Sequence, residues 1–256
     1  MKKRVMVFLC CLCCLGISTT FADEAFEITG QVHPDLPTLT ICIADTGERL
    51  TDQMRENVLS VSVQTQDGSL SQAFTYQSSE NPAFEQAAAM AMLRDVNFDG
   101  YQDLLLLTGA GARNLFQALS LWDVEAGQFR PVEQTREWLR EEKRFASEGT
   151  QAELCNAELF SEEQMLLSHE EDGFRYSRDI FYRWDDSCTL WPIYIWDIYD
   201  AGDGIIGDAL TSLIDDVNVV WDEQYPEEAY YGLDGVSNER RMVVREIALG
   251  KSVRDD

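Results

Sequence analysis

Asp95, Asn97, Asp99 and Asp103 surround Gly100 in the run Asp95-Val-Asn97-Phe-Asp99-Gly100-Tyr101-Gln-Asp103-Leu104. Oxygen-bearing side chains at the first, third, fifth and ninth positions, with glycine at the sixth, form a calcium-loop pattern. Ca²⁺ takes about six to eight oxygens at roughly 2.3–2.6 Å, and a sharply reversing chain supplies them from alternate residues. Asp95, Asn97 and Asp99 are the expected side-chain ligands. Tyr101 would contribute its carbonyl, and Asp103 would ligate directly or through water. Gly100 permits the turn. The twelfth position is Leu106, where a helix–loop–helix calcium hand needs a bidentate glutamate. The apolar run Leu104–Leu107 instead predicts a buried strand, and so a strand–loop–strand site, with the approach over Met90–Arg94 extended. A solvated acidic turn is the plainer alternative.

Other chemistries find weaker footing. There is no G-x-S-x-G, no H-E-x-x-H and no phosphate-cradling glycine loop. His33 and His169 are the two histidines, and no C-x-x-C occurs, which argues against a Cys/His metal centre. A glycan hydrolase needs two carboxylates only, and 46 acids leave that reading open without locating it. Asp197, Asp200, Asp203 and Asp208 sit among glycines, but their spacing matches no ligand loop, and a solvated acidic segment is the simpler expectation. Trp184, Trp191, Trp196, Tyr182, Tyr194 and Tyr199 could make a binding face, although aromatics alternating along strands more often build core.

These residues must be positioned by sheets. Leu59, Val61 and Val63 alternate with Ser60, Ser62 and Gln64, a half-buried strand pattern. Asp67-Gly68 then predicts a hairpin, with return over Gln72–Tyr76. Further strands are expected at Phe26–Val32, Leu39–Ala44, Asp103–Leu107, Leu115–Trp122, Phe129–Val132, Met165–Ser168, Phe174–Trp184 and Thr189–Ile198. Turns recur at Glu125-Ala-Gly127, Glu171-Asp-Gly173 and Asp185-Asp-Ser187. The expectation is a mainly β chain: an antiparallel meander in a barrel, sandwich or propeller-like array, with one or two short helices. Those helices are expected over Thr135–Phe145 and Asp208–Ile214. Residues 201–237, rich in Gly and Asp, read as an irregular lobe or decorated loop, so 201–256 could be an extension of a single 23–256 domain.

Three features together resemble a known family. They are the DVNFDGYQDL run at Asp95–Leu104; Asn114-Leu115-Phe116 with the strand Ala118–Asp123 and Gly127-Gln-Phe129; and Tyr182-Arg-Trp184 followed by Leu190-Trp191-Pro-Ile193. From about Val58 to Trp196 the chain resembles exported bacterial proteins related to the periplasmic immunity lipoproteins of type IV secretion systems. Their fold is similar to that of periplasmic inhibitors of invertebrate-type lysozyme. The calcium core is also similar to FG-GAP/VCBS propeller loops, of which one copy is present. The resemblance implies a Ca²⁺ site at Asp95–Asp103 and inhibition of a lysozyme-like muramidase or a toxin, by a loop filling the enzyme's cleft.

Charge and leader fit an exported module. Met1–Arg4 is basic, Val5–Ile17 is apolar, and Thr20-Phe-Ala22 gives small residues before Asp23, the layout of a cleaved signal peptide over 1–22. No other run approaches the ~18 apolar residues of a spanning helix. Removing the leader leaves 17 bases against 46 acids, a net −29. That balance disfavours nucleic acid, whose binding rests on Lys/Arg patches, and favours a cationic protein partner or divalent cations. Beyond the leader lie Cys42, Cys155 and Cys188. A Cys155–Cys188 disulfide with Cys42 free is one expectation, and three buried thiols the other.

Overall fold

The computed structural model describes residues 25–50, 57–80, 90–132, 138–139, 144–145, 152–171, 176–214, 217–232 and 235–250. The expected signal peptide lies outside them, as do 81–89 and the turn residues 172–175. The chain is mainly β, built from antiparallel sheets stacked in layers; among the described residues no sheet closes into a barrel.

The first sheet is a meander of β1 (Phe26–Gly30), β2 (Leu39–Arg49), β3 (Asn57–Thr65) and β4 (Ser71–Ser78) in that order. Alternation decides its buried face: Leu59, Val61 and Val63 are fully covered while their neighbours are not. Gly68 turns the β3–β4 hairpin at φ 71°. The second sheet contains β5 (Ala91–Arg94), β6 (Asp103–Ala110), β7 (Leu115–Asp123), β8 (Gln128–Pro131) and, after the short β9 (Trp138–Leu139) and β10 (Arg144–Phe145), β11 (Glu153–Cys155). The third runs β12 (Glu158–Phe160), β13 (Met165–Glu171), β14 (Ser177–Trp184), β15 (Leu190–Gly202), β16 (Ile205–Ser212) and β17 (Asn218–Pro226). Helices α1 (Glu227–Tyr230) and α2 (Val236–Ala248) follow.

Packing fixes the layer order. Leu104, Leu106 and Leu107 of β6 join Ile41, Ile43, Leu59 and Val61 in one core, while Leu105 joins Leu119, Leu154, Leu166 and Tyr182 in another. The second sheet is therefore covered on both faces, which is why β6 reads as an unbroken apolar run rather than an alternating one. A third core sets Met165, Leu167, Phe181 and Trp196 against Tyr230, Val244 and Ala248. The C-terminal helix thus closes the outer face of the last sheet. No helix among the described residues is long and apolar enough to cross a membrane.

The expected strands are all present within a few residues; of the two expected helices, Thr135–Phe145 lies mostly outside the described residues and Asp208–Ile214 is not helical. Within the first of these, Trp138–Leu139 and Arg144–Phe145 pair antiparallel, with Trp138 opposite Phe145 in the register. Asp208–Ile214 starts inside β16, where Ile206 and Leu210 enter the helix-facing core. Nor are the described residues of 201–250 irregular, since they form the end of β15, β16, β17, α1 and α2. Gly202, Asp203 and Gly204 all take positive φ (89°, 53° and 73°), so the Gly/Asp richness makes one tight turn between two long strands.

Candidate metal loop and polar clusters

β5 and β6 pair in register, Arg94 opposite Asp103, and the loop between them reverses through Phe98 (φ 63°) and Gly100 (φ 92°). A left-handed bulky residue such as Phe98 is rare outside built sites. Asp95 accepts N–H bonds from Asp99 (3.1 Å) and Gly100 (3.0 Å), and Asp99 accepts one from Tyr101 at 2.8 Å. The Asn97 amide donates to Asp99 Oδ2 at 2.8 Å. The four expected side-chain ligands therefore gather around one turn.

Asp103 differs from the other three. It is fully buried, and it accepts bonds from the N–H of Val96 (3.0 Å) and of Trp122 (2.8 Å). Burial, with Asp99 and Asp95 adding repulsion, pushes its carboxyl up to about 7. Each of its oxygens retains a second lone pair for a cation. The donor set is wholly oxygen, as a hard cation requires. As they stand, no three acidic, His or Cys side chains among the described residues form a ready ligand cluster. Asn97 would ligate through Oδ1, which now accepts the Asp99 N–H at 3.3 Å, while its Nδ2 donates to Asp99.

The loop also ties the layers together. Trp184 of β14 donates Nε1–H to the Val96 carbonyl at 2.7 Å, Gln102 N–H bonds the Val32 carbonyl at 2.7 Å, and Tyr101 stacks on His33 at 4.8 Å. Beside it lies a cavity of about 660 Å³ whose lining includes Asn97, Asp99, Asp123, Arg130 and Cys188. Asp123 holds Arg130 at 2.6 Å.

Cys188 sits exposed on the β14–β15 hairpin tip at φ 59°. Asp185 braces that tip, accepting the N–H groups of Ser187 and Thr189 (both 2.9 Å) and the Trp191 indole (2.7 Å). The expected Cys155–Cys188 disulfide is not formed. Cys155 is buried in the second sheet with its thiol pushed up to about 12, Cys188 belongs to the third, and all three described cysteines are free thiols. The expectation of three buried thiols fails too, since only Cys155 is buried.

The four C-terminal aspartates do not converge. Asp197 is buried against Arg178 (2.7 Å), Asp208 is buried beneath two indoles, and Asp200 caps its own turn. Of the aromatics, Tyr182 and Trp196 are core; Trp184 and Trp191 are half-buried and spend their indole N–H groups on Val96 and Asp185.

A further cluster escaped sequence reading. His169 stands opposite Asp179 in the β13–β14 register and bonds it through Nδ1. Its Nε2 meets Glu171 at 3.2 Å, and Glu171 holds Arg113 at 2.9 Å. The pair is set by a hairpin register centred on residue 174, two positions beyond the expected Glu171-Asp-Gly173 turn, so counting outward from that turn does not find it. Asp179 and then Glu171 raise the imidazole above its ordinary 6.5, against the opposing effect of burial. The contribution to stability is therefore complete below the unfolded value and is lost as pH rises through the folded one. Urea midpoints measured from about pH 6 to about pH 9 should decline, and His169→Gln should flatten that decline. An unchanged pH slope in the variant refutes the assignment.

Comparison with known proteins adds little. No protein-family model matches the chain, and no curated protein matches it. Among solved structures it is similar to one described as a Xanthomonas type IV secretion system related protein. That match has a TM-score of 0.45 and 13% identity, and it covers 77% of this chain and 99% of the other.

Proposed function

We propose that the chain is an exported, calcium-stabilised β-protein that acts as a binding and inhibitory module against a cationic protein, a lysozyme-like muramidase or a toxin. The observation that supports this reading best is the Asp95–Asp103 loop, an all-oxygen turn bonded to the third sheet through Trp184 and to the segment after β1 through Val32. Asp95, Asn97 and Asp99 would hold the ion by side chains, Tyr101 by its carbonyl and Asp103 from below. Bound Ca²⁺ would supply the positive charge that offsets repulsion among three carboxylates. The acid excess would steer a basic partner at long range.

Passing a panel of muramidases over immobilised protein tests the reading. Basic members should be retained and inhibited, with retention falling as salt rises past the point where the screening length is about 8 Å. If none is retained or inhibited, the inhibitory reading fails. If the protein itself cleaves peptidoglycan or a model glycoside, the carboxylate-hydrolase alternative replaces it.

A further inference from the structure

A second cleft, about 440 Å³, opens between the third sheet and the starts of α1 and α2, away from the metal loop. We propose that it is a binding site for a saccharide that carries a carboxylate.

One wall is Glu171, and it is fixed to a degree a surface glutamate does not need. Asn114 grips its backbone on both sides, accepting from its N–H (3.0 Å) and donating to its carbonyl (2.7 Å). Its carboxylate is held by Arg113 and by His169, which is itself held by buried Asp179. Asn156 locks the same corner, donating to the carbonyls of Arg113 (2.9 Å) and His169 (3.1 Å). A chain of half-buried supports, anchored on buried Asp179 and ending on one half-buried carboxylate at the cleft, is how a binding group is preorganised.

Two tyrosine rings line the same cleft. The Arg178 guanidinium lies over Tyr176 at 5.7 Å and is anchored by Asp197, while Tyr231 packs edge-on to Tyr230 at 5.2 Å. Fixed aromatic faces take the C–H face of a sugar ring, and a carboxylate–guanidinium pair takes its hydroxyls.

Arg241 supplies the charge preference. Its neighbours on α2 are paired, Arg240 with Glu223 and Asp208, Arg245 with Glu158. Arg241 is exposed at the cleft and makes no ion pair with a described residue. A planar guanidinium fork of that kind binds a ligand carboxylate through two parallel bonds.

The test is a titration of isotope-labelled protein with digalacturonate, with lactose and acetate as controls, read by amide chemical shifts. Saturable shifts at Ser177, Tyr231, Ser237 and Arg241 are expected with digalacturonate. Arg241→Gln and Glu171→Gln should each weaken binding by about tenfold or more. Arg241→Gln, at an exposed position, should leave the melting temperature unchanged, which separates lost binding from lost fold. No saturable shift, equal shifts with acetate or with lactose, or full binding by Arg241→Gln overturns the proposal.

Discussion

Asp208→Ala should lower stability by about 3–5 kcal/mol, the usual cost of breaking a buried ion pair by removing one partner. Asp208 lies in the middle of the apolar face that the third sheet turns toward α2 and is fully buried. Its Oδ1 accepts the indole N–H of Trp196 (2.5 Å) and of Trp221 (3.1 Å), and Arg240 Nε lies 3.3 Å from Oδ2. Arg240 in turn covers the Trp221 ring at 4.5 Å. Truncation leaves two indole donors and a guanidinium facing a void, so the penalty is their desolvation as well as the lost bonds. Burial raises the Asp208 carboxyl despite these partners, meaning the charge itself is costly there. Asp208→Asn, which keeps an acceptor and drops the charge, should therefore lose much less than Ala. Urea unfolding with an unchanged m-value measures both. Glu246→Ala, exposed on the same helix, is the control, expected within about 0.5 kcal/mol of the parent. If Asp208→Ala behaves like that control, the cluster does not hold α2 to the sheet.

The same residue explains where sequence reading stopped. Alternation locates a strand when one face is apolar and the other polar, as in Leu59, Val61 and Val63, or when both faces are buried, as in Leu104–Leu107. Ile206, Asp208 and Leu210 break the pattern with a carboxylate at the centre of the buried face, and only tertiary partners from β15, β17 and α2 make that tolerable. The segment therefore read as a short helix from Asp208 within an irregular, Gly- and Asp-rich stretch. Likewise Gly202, Asp203 and Gly204 signal a turn, but nothing local says that the strands on either side are long. The Asp95–Asp103 turn was legible because its signal is local: oxygen-bearing side chains at alternate positions about a glycine lie in one short run. The Asp179–His169–Glu171–Arg113 chain was not, because its members meet through strand register and a loop from the neighbouring sheet.

Ca²⁺ should stabilise the protein by about 2.7 kcal/mol at a hundredfold excess over its Kd, since an ion that binds only the native state contributes RT ln(1 + [L]/Kd). For a chain of this length each kcal/mol moves the melting temperature by roughly 2–4 °C, so a shift on the order of 5–10 °C over EDTA is expected. The shift should be global rather than local, because the loop and Asp103 bond Trp122 on the second sheet, Trp184 on the third and Val32 in the segment that follows β1. Mg²⁺ should restore less, since it demands a tighter octahedron than a loop of this kind provides. Asp99→Ala should abolish the response, for Asp99 both faces Asn97 and repels Asp103. Asp203→Ala, at an exposed turn on the far hairpin, should leave it intact. The Asn97 amide nitrogen donates to Asp99 Oδ2 at 2.8 Å, so Asn97→Ala carries two opposing effects. It removes a competitor for Asp99 and a ligand at once, and a weaker Ca²⁺ response in that variant means that the amide ligates. Coincident melting in EDTA and in Ca²⁺ reduces Asp95–Asp103 to a turn whose carboxylates serve its own backbone.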